Sequence, residues 1–323
     1  MKKMIFIVLL ATFLTVMAVP TQAVGAPLDR NALIKLADDY FAALVAHNPK
    51  GVPLANNVKI VEQVKRIQPG EGLWKTASSV PTNFKIVVPD IVSQQVGGIV
   101  ILGVNDKPAQ LGFRLKVEDG KITEAEHMIA EMNNPKDPNL QSVRPAIPLE
   151  IPYEYRDSRG RLIFIAKSYY DALDLNNGSL APFASDCERR ENGMRTAPFG
   201  GPSLGGVGIP GAKAMPPSLL GMQDCAAQLN TGTFQYIDTI ENRRVLIADE
   251  TTGLAVGFSH FHHSMNQKKF KILNTPGREE ADMSTQRPFD MPALHIYKIW
   301  GGQIHEIEAI GIMAEYNSPT GWE

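Results

Sequence analysis

Two stretches of this chain are versions of each other. Leu36–Gln63 aligns without a gap on Ile165–Asn192, an offset of 129 residues, and 8 of the 28 positions are identical: Ala37/Ala166, Tyr40/Tyr169, Ala43/Ala172, Leu44/Leu173, Asn48/Asn177, Pro53/Pro182, Ala55/Ala184 and Glu62/Glu191. The far ends match as well. The segment from Gly120 pairs with that from Gly302 through Ile122/Ile304, Glu124/Glu306 and Glu126/Glu308, and both close on Ala-Glu-x-Asn-x-Pro, at Ala130 and Ala314. A repeat this long exceeds any solenoid module, so each copy is expected to be a domain with its own core.

Outside the repeat, the chain opens on Lys2 and Lys3, an apolar run to about Val19, and a small-residue exit at Thr21-Gln22-Ala23. That is the pattern of a cleaved export signal. The expected organisation is a signal peptide at 1–23, a first domain at 29–134, a Pro-rich linker at 135–160 and a second domain at 161–323. Export implies a secreted protein, periplasmic or extracellular, with no membrane attachment after cleavage. Net charge is −2, which gives no basic face for nucleic acid. The two cysteines, Cys187 and Cys225, are expected to pair in an oxidising compartment, and no CxxC spacing points to a zinc knuckle.

Each copy has a readable order of elements. Asp29–His47 carries Leu33, Leu36, Ala37, Tyr40, Phe41 and Leu44 at helical spacing. Strand-like runs follow at Phe84–Val88, Gly98–Val104, Leu111–Val117 and Ile122–Ile129. Asp119-Gly120 supplies a tight hairpin turn, repeated at Gly301-Gly302. One helix followed by antiparallel strands gives an α+β cone, a curved antiparallel sheet wrapped on a helix with an apolar interior and one mouth. The second copy is about 30 residues longer, because of a Gly- and Pro-rich insertion at 193–220 that reads as a loop, a lid or a partner-binding arm. Gly206–Gly211 formally matches GxGxxG, but no strand precedes it and Pro210 blocks the helix that a dinucleotide site needs.

The opening helix LADDYFAALVAHNPKGVPLANNV, the GEGLW turn at Gly70–Trp74, the segment FRLKVEDGKITEAEHM from Phe113 and their weaker second-copy counterparts resemble the nuclear transport factor 2-like superfamily, with its SnoaL-like polyketide cyclases and ketosteroid isomerases. The resemblance implies two tandem cone-shaped α+β barrels. It also implies cofactor-independent chemistry or simple binding, since the superfamily holds both. Some secreted SnoaL-like proteins are associated with cleavage of lignin-type aryl ethers. Members often dimerise through their sheets, an interface that tandem copies would satisfy within one chain. A homodimer, or a heterodimer with a homologous chain, is the other expectation.

The groups suited to chemistry are concentrated in the second copy. His260 and His262 share one face of a strand, His295 and Tyr297 share a face of the next, and Tyr169 lies on the opening helix. If three imidazoles meet inside the second cone, His260, His262 and His295 would move protons while Tyr169 polarised an oxygen. The same histidines could instead hold a metal, or lie solvated at a hairpin tip, as the lysines near His263 suggest. Phe258, Tyr297, Tyr40, Arg114 and Glu308 are candidate substrate-binding residues. Arg114 is also placed to pair with Glu126 across a strand, and Glu306/Glu308 is either a buried acid–base pair or a solvated edge. The expected activity is therefore acid–base chemistry without an organic cofactor, a lyase, isomerase or ether-cleaving reaction on a small apolar or aromatic molecule. The competing expectation is a secreted binding or assembly module without chemistry.

Overall fold

The computed structural model describes residues 26–132, 134–197, 223–275 and 277–323. The expected export signal lies outside them, as do most of the insertion and the GxGxxG match. In the first half, α1 (Arg30–Val45) leads to β1 (Leu54–Glu62), β2 (Lys65–Ile67), a one-turn α2 (Leu73–Thr76), β3 (Ala77–Ser79), β4 (Lys85–Asp90), β5 (Gln95–Val104), β6 (Lys107–Glu118) and β7 (Lys121–Glu131). The second half runs α3 (Arg159–Asp174), β8 (Phe183–Glu191), β9 (Met194–Ala197), α4 (Cys225–Leu229), β10 (Thr239–Asp249), β11 (Leu254–His263), β12 (Lys269–Lys271), β13 (Glu280–Asp282), β14 (Phe289–Trp300) and β15 (Gln303–Gly311).

The two opening helices start and stop by the same chemistry. Asp29 and Ser158 cap them, accepting from the backbone N–H three residues on, so a donor left free by the first turn is satisfied. Each helix is followed by an Asn, Asn48 or Asn177, whose side chain caps a short 3-10 turn. The buried stripe of α1 is Leu33, Leu36, Ala37, Tyr40, Phe41 and Leu44; that of α3 is Leu162, Ile165, Ala166, Tyr169, Tyr170 and Leu173. Burying each large side chain of such a stripe contributes roughly 2 kcal/mol.

The sheets repeat too. The first has the order β2-β1-β7-β6-β5-β3 with β4 also on β5; the second runs β10-β11-β14-β15-β8-β9. In both, the strand after the helix lies parallel to the last strand of the copy, β1 on β7 and β8 on β15, and the other main pairings are antiparallel. This is a helix-and-curved-sheet α+β unit, built twice. Asp119 (φ 51°) and Gly120 (φ 72°) make the hairpin turn of the first copy, and Gly301 (φ 56°) and Gly302 (φ 78°) that of the second. The start of the expected insertion loop is instead a strand: Met194–Ala197 pairs with β8.

The outer faces of the two sheets pack on each other. Ile86, Val88, Ile99 and Met128 meet Ile247, Val256, Phe258, Leu294, Ile296 and Ile310 in one buried cluster. The seam is tight because glycine lines it: a Cβ on Gly97 would lie 2.7 Å from the Ile247 side chain, and one on Gly112 2.8 Å from that of Ile310. The sheet-to-sheet interface is thus made within one chain. Residues from 135 to 160 run over the second sheet, burying Leu140, Ile147 and Ile151. Lys298 holds that segment from below, donating to the carbonyls of Ile147, Leu149 and Thr252. Cys187 and Cys225 form a buried disulfide between β8 and α4, with a Cα–Cα distance of 5.9 Å. Among the described residues no helix is long and apolar enough to cross a membrane.

Candidate functional site

Strand alternation sorts the second sheet into two faces. Ala255, Gly257, Ser259 and Phe261 of β11 and Ala293, His295 and Tyr297 of β14 face α3, with Gly257 opposite His295 and Ala255 opposite Tyr297. Val256, Phe258, His260 and His262 point the other way, with Pro292 and Asp290 as their neighbours on β14. His260 and His262 therefore do not meet His295. The sequence predicts the faces of each strand correctly, but not the register that puts an inward position of β14 beside an odd-numbered one of β11. Phe258 likewise sits between the two sheets, beneath the Arg244 guanidinium at 5.0 Å, and not in a cone.

Inside the second cone, Tyr169, Tyr170, His295 and Tyr297 form a buried aromatic box. Ring centroids lie 5.4 Å apart for Tyr169–His295 and Tyr169–Tyr297, and 5.5 Å for Tyr170–His295. Gly257 makes room for it, since a Cβ there would lie 2.7 Å from the Tyr170 hydroxyl. The Tyr170 hydroxyl reaches His295 Nδ1 at 3.4 Å. Burial pushes the Tyr170 phenol up to about 12 and the Tyr169 and Tyr297 phenols higher still, so all three keep their protons. Burial, helped by the charge of Arg189, pushes His295 down to about 3, so its imidazole is neutral. Arg189 enters from β8. It donates to Thr196 at 2.9 Å and to Gln228, and pairs with Glu191 at 2.9 Å. Around this box, Tyr169 Oη, Tyr297 Oη and Arg189 Nη1 are buried without a well-formed hydrogen bond. Arg189 and Tyr170 carry no motif in the sequence; Glu191, a repeated position on the same strand face, was the available pointer.

The first cone has a closed polar circuit instead. Glu62 accepts from His127 Nδ1 at 3.1 Å, which fixes the tautomer, so Nε2 accepts the Tyr40 hydroxyl proton at 3.0 Å. Leu73 N donates to the same Glu62 oxygen at 2.9 Å. Tyr40 also packs edge-on against Trp74, with centroids 5.3 Å apart. His127 carries no motif of its own in the sequence; the pointer to it was Glu62, a repeated position that pairs with it across β1 and β7. The expected open hollow is corrected in both cones. Packed rings occupy the interiors; of the cavities among the described residues, one lies at the seam and one on the surface beside Trp300.

The seam gathers the remaining candidates. Asp290, fully buried, accepts from His260 Nε2 at 3.1 Å and from His262 Nδ1 at 2.9 Å. The two imidazoles stack with centroids 4.9 Å apart. Arg114 meets Glu126 at 3.2 Å and Glu124 at 2.7 Å, and Arg244 closes on Glu126 from the second half at 2.6 Å. Burial alone would raise the Glu126 carboxyl, but the two guanidiniums outweigh it and hold it below its ordinary value. Glu308 is neither inside the cone nor solvated. It lies on the outer face of β15, covered by Arg144 of the connecting segment at 3.1 Å, and burial pushes its carboxyl up to about 7. His263 is not solvated either: it is buried and stacks on Phe289 at 4.1 Å.

A family model described as "Domain of unknown function (DUF8021)" matches residues 26–129 and 155–311. No curated protein matches the chain. It is similar to the crystal structure of an NTF2-like protein of unknown function from Cytophaga hutchinsonii, at 16% identity over 30% of this chain and 88% of that one, with a TM-score of 0.25. It is also similar to an NTF2-like protein from Burkholderia thailandensis, at 13% identity over 47% and 90%, TM-score 0.27. A third likeness is to a protein from Xanthomonas campestris, provisionally named a polyketide cyclase, at 14% identity over 47% and 90%, TM-score 0.28.

Proposed function

This chain belongs to the DUF8021 family, and we propose that it is an exported, cofactor-independent acid–base enzyme whose chemistry takes place in the second cone. One observation carries the reading. The phenol hydroxyls of Tyr169 and Tyr297 and one guanidinium nitrogen of Arg189 lie buried around a neutral imidazole without a well-aligned hydrogen bond, Tyr169 held only loosely by Arg189 and Tyr297 by Tyr170. Buried polar atoms held so weakly are costly, and an oxygen atom of a guest would give them a better partner. In the first cone the Tyr40–His127–Glu62 circuit is closed, and Trp74 Nε1 beside it is a buried donor without a hydrogen bond.

In this reading the guest is small and aromatic, and it displaces packed rings as it enters. Its carbonyl or ether oxygen takes the hydroxyl protons of Tyr169 and Tyr297 as hydrogen bonds. Negative charge that develops on that oxygen is stabilised by donors that cannot ionise at neutral pH, with Arg189 behind them. His295 accepts the substrate proton. Its low basicity rises once an anion forms beside it. Isomerisation, elimination and aryl-ether cleavage all fit these roles. Export is supported by the charged and apolar start of the chain together with the buried disulfide.

The ring packing itself favours a second reading, in which ordered water satisfies the hydroxyls and the protein binds or assembles without chemistry. A turnover screen separates the two. Enolisable aryl ketones are followed by proton–deuterium exchange, and lignin-type ether dimers by product analysis. Tyr169→Phe and His295→Gln each lower the rate by about 10²-fold or more in the enzymatic reading. A wild-type protein inert across the panel, or variants as active as wild type, overturns it.

A further inference from the structure

We propose that His260, His262 and Asp290 form a binding site for a divalent transition metal, of the zinc class, at the seam and on the face of the second sheet opposite the aromatic box. One ligand atom from each residue lies within 4.8 Å of the others. Two imidazole nitrogens and one carboxylate oxygen are the donor set that Zn²⁺ and its first-row neighbours accept with a position left open. The backbone sets this arrangement: His260 and His262 alternate on β11, and Asp290 is the cross-strand partner of His262.

Two further observations point to a ligand. The far nitrogen of His262, Nε2, lies 3.6 Å from Glu241 and makes no hydrogen bond. When a metal takes Nδ1, the ring proton moves to Nε2 and faces that carboxylate, the carboxylate–histidine–metal relay that orients bound imidazoles. The second is the mooring of Asp290. Ser318 N donates to its Oδ2 at 3.0 Å, and the Ser318 hydroxyl stands 3.3 Å from His260 Nε2, so the C-terminal segment holds the carboxylate in place. A cavity of about 20 Å³ lined by His260, Pro292, Arg244 and Thr320 adjoins the cluster, and a space of that size holds one water. Asp290 cancels one of the ion's two charges and Glu241, 3.6 Å from the far nitrogen of His262, offsets the other, while Glu124 and Glu126 together neutralise Arg114 and Arg244.

The test uses full-length mature protein without a histidine tag, stripped with chelator and titrated with Zn²⁺ by calorimetry and with Co²⁺ by visible absorption. The expected result is one equivalent bound, with a Co²⁺ spectrum of low coordination number. His262→Ala and Asp290→Asn should each weaken binding at least tenfold. Circular dichroism and thermal melting confirm that each variant folds. If Asp290→Asn does not fold, the half-buried His262→Ala decides alone. Binding well below one equivalent in the wild type overturns the proposal, and so does a His262→Ala protein that binds like wild type.

Discussion

Arg30, at the start of α1, closes on Asp249 at the end of β10 at 2.8 Å, and its repeat counterpart Arg159 closes on Asp90, the counterpart of Asp249, also at 2.8 Å. Each half contributes an arginine to the other half's aspartate. Such reciprocity is the mark of a twofold interface, realised here inside one chain. The cost depends on which partner is removed. Asp90 is 1% exposed and also accepts from the backbone N–H groups of Val92, Ser93 and Ala248, so Asp90→Ala takes the acceptor from three backbone donors as well as from the partly exposed Arg159 guanidinium. The expected loss is about 2–3 kcal/mol. Arg30 is 35% exposed, and Arg30→Ala should cost no more than about 1 kcal/mol. Urea denaturation of both variants checks the asymmetry; equal losses would contradict it.

The repeated tyrosines should also differ. Tyr40→Phe removes the partner of a buried His127 Nε2 and should destabilise by about 1–3 kcal/mol. Tyr169 meets Arg189 without a well-aligned hydrogen bond, so Tyr169→Phe should cost less than Tyr40→Phe, about 1 kcal/mol or less, while it lowers activity. Thermal melts of the two variants, compared side by side, decide this.

The fold was legible because a duplication shows every element twice. The Tyr40/Tyr169 helices and the Asp119-Gly120 and Gly301-Gly302 turns announce themselves from local chemistry alone. The site was less legible, because it depends on cross-strand register. Whether His260 lies beside His295 or behind it turns on a single residue of offset, and no local pattern encodes that. Arg189 escaped for a related reason: a buried arginine looks like a surface one until the strand that carries it is placed. Residues 135 to 160 read as an extended linker, part of which could pack on either domain; which one was not legible, and Arg144 and Lys298 tie it to the second.

Glu308 gives the protein an unusual pH response. Its carboxyl, ordinarily near 4.5, is raised to about 7, chiefly by burial and against the pull of Arg144. The folded state therefore holds a proton that the unfolded state has lost, and stability falls as pH rises from about 4.5 to about 7, then levels off. Glu306 is raised by burial as well and adds to the same trend. Glu126, whose carboxyl is lowered, contributes stability that is lost only at more acid pH. Glu308→Gln should flatten the dependence of the urea midpoint on pH between 5 and 8. An unchanged slope would mean that Glu308 is ionised when folded.

The seam's tolerance for bulk is the last expectation. Gly112 faces the second sheet, and a Cβ there would lie 2.8 Å from Ile310 Cγ2 and 3.2 Å from Leu294 Cδ1. Both are side-chain carbons, so Gly112→Ala forces a small repacking, whereas Gly112→Val must part the sheets and should cost about 1–3 kcal/mol or more. Ile310→Ala alone opens a cavity and should cost about 2–5 kcal/mol. Combined with Gly112→Ala, part of that cavity is filled by the new methyl, so the double variant should be more stable than the sum of the singles by about 1 kcal/mol. A double-mutant cycle measures the coupling. Strict additivity would mean that the two residues do not touch across the seam, and the face-to-face packing of the sheets would have to be redrawn.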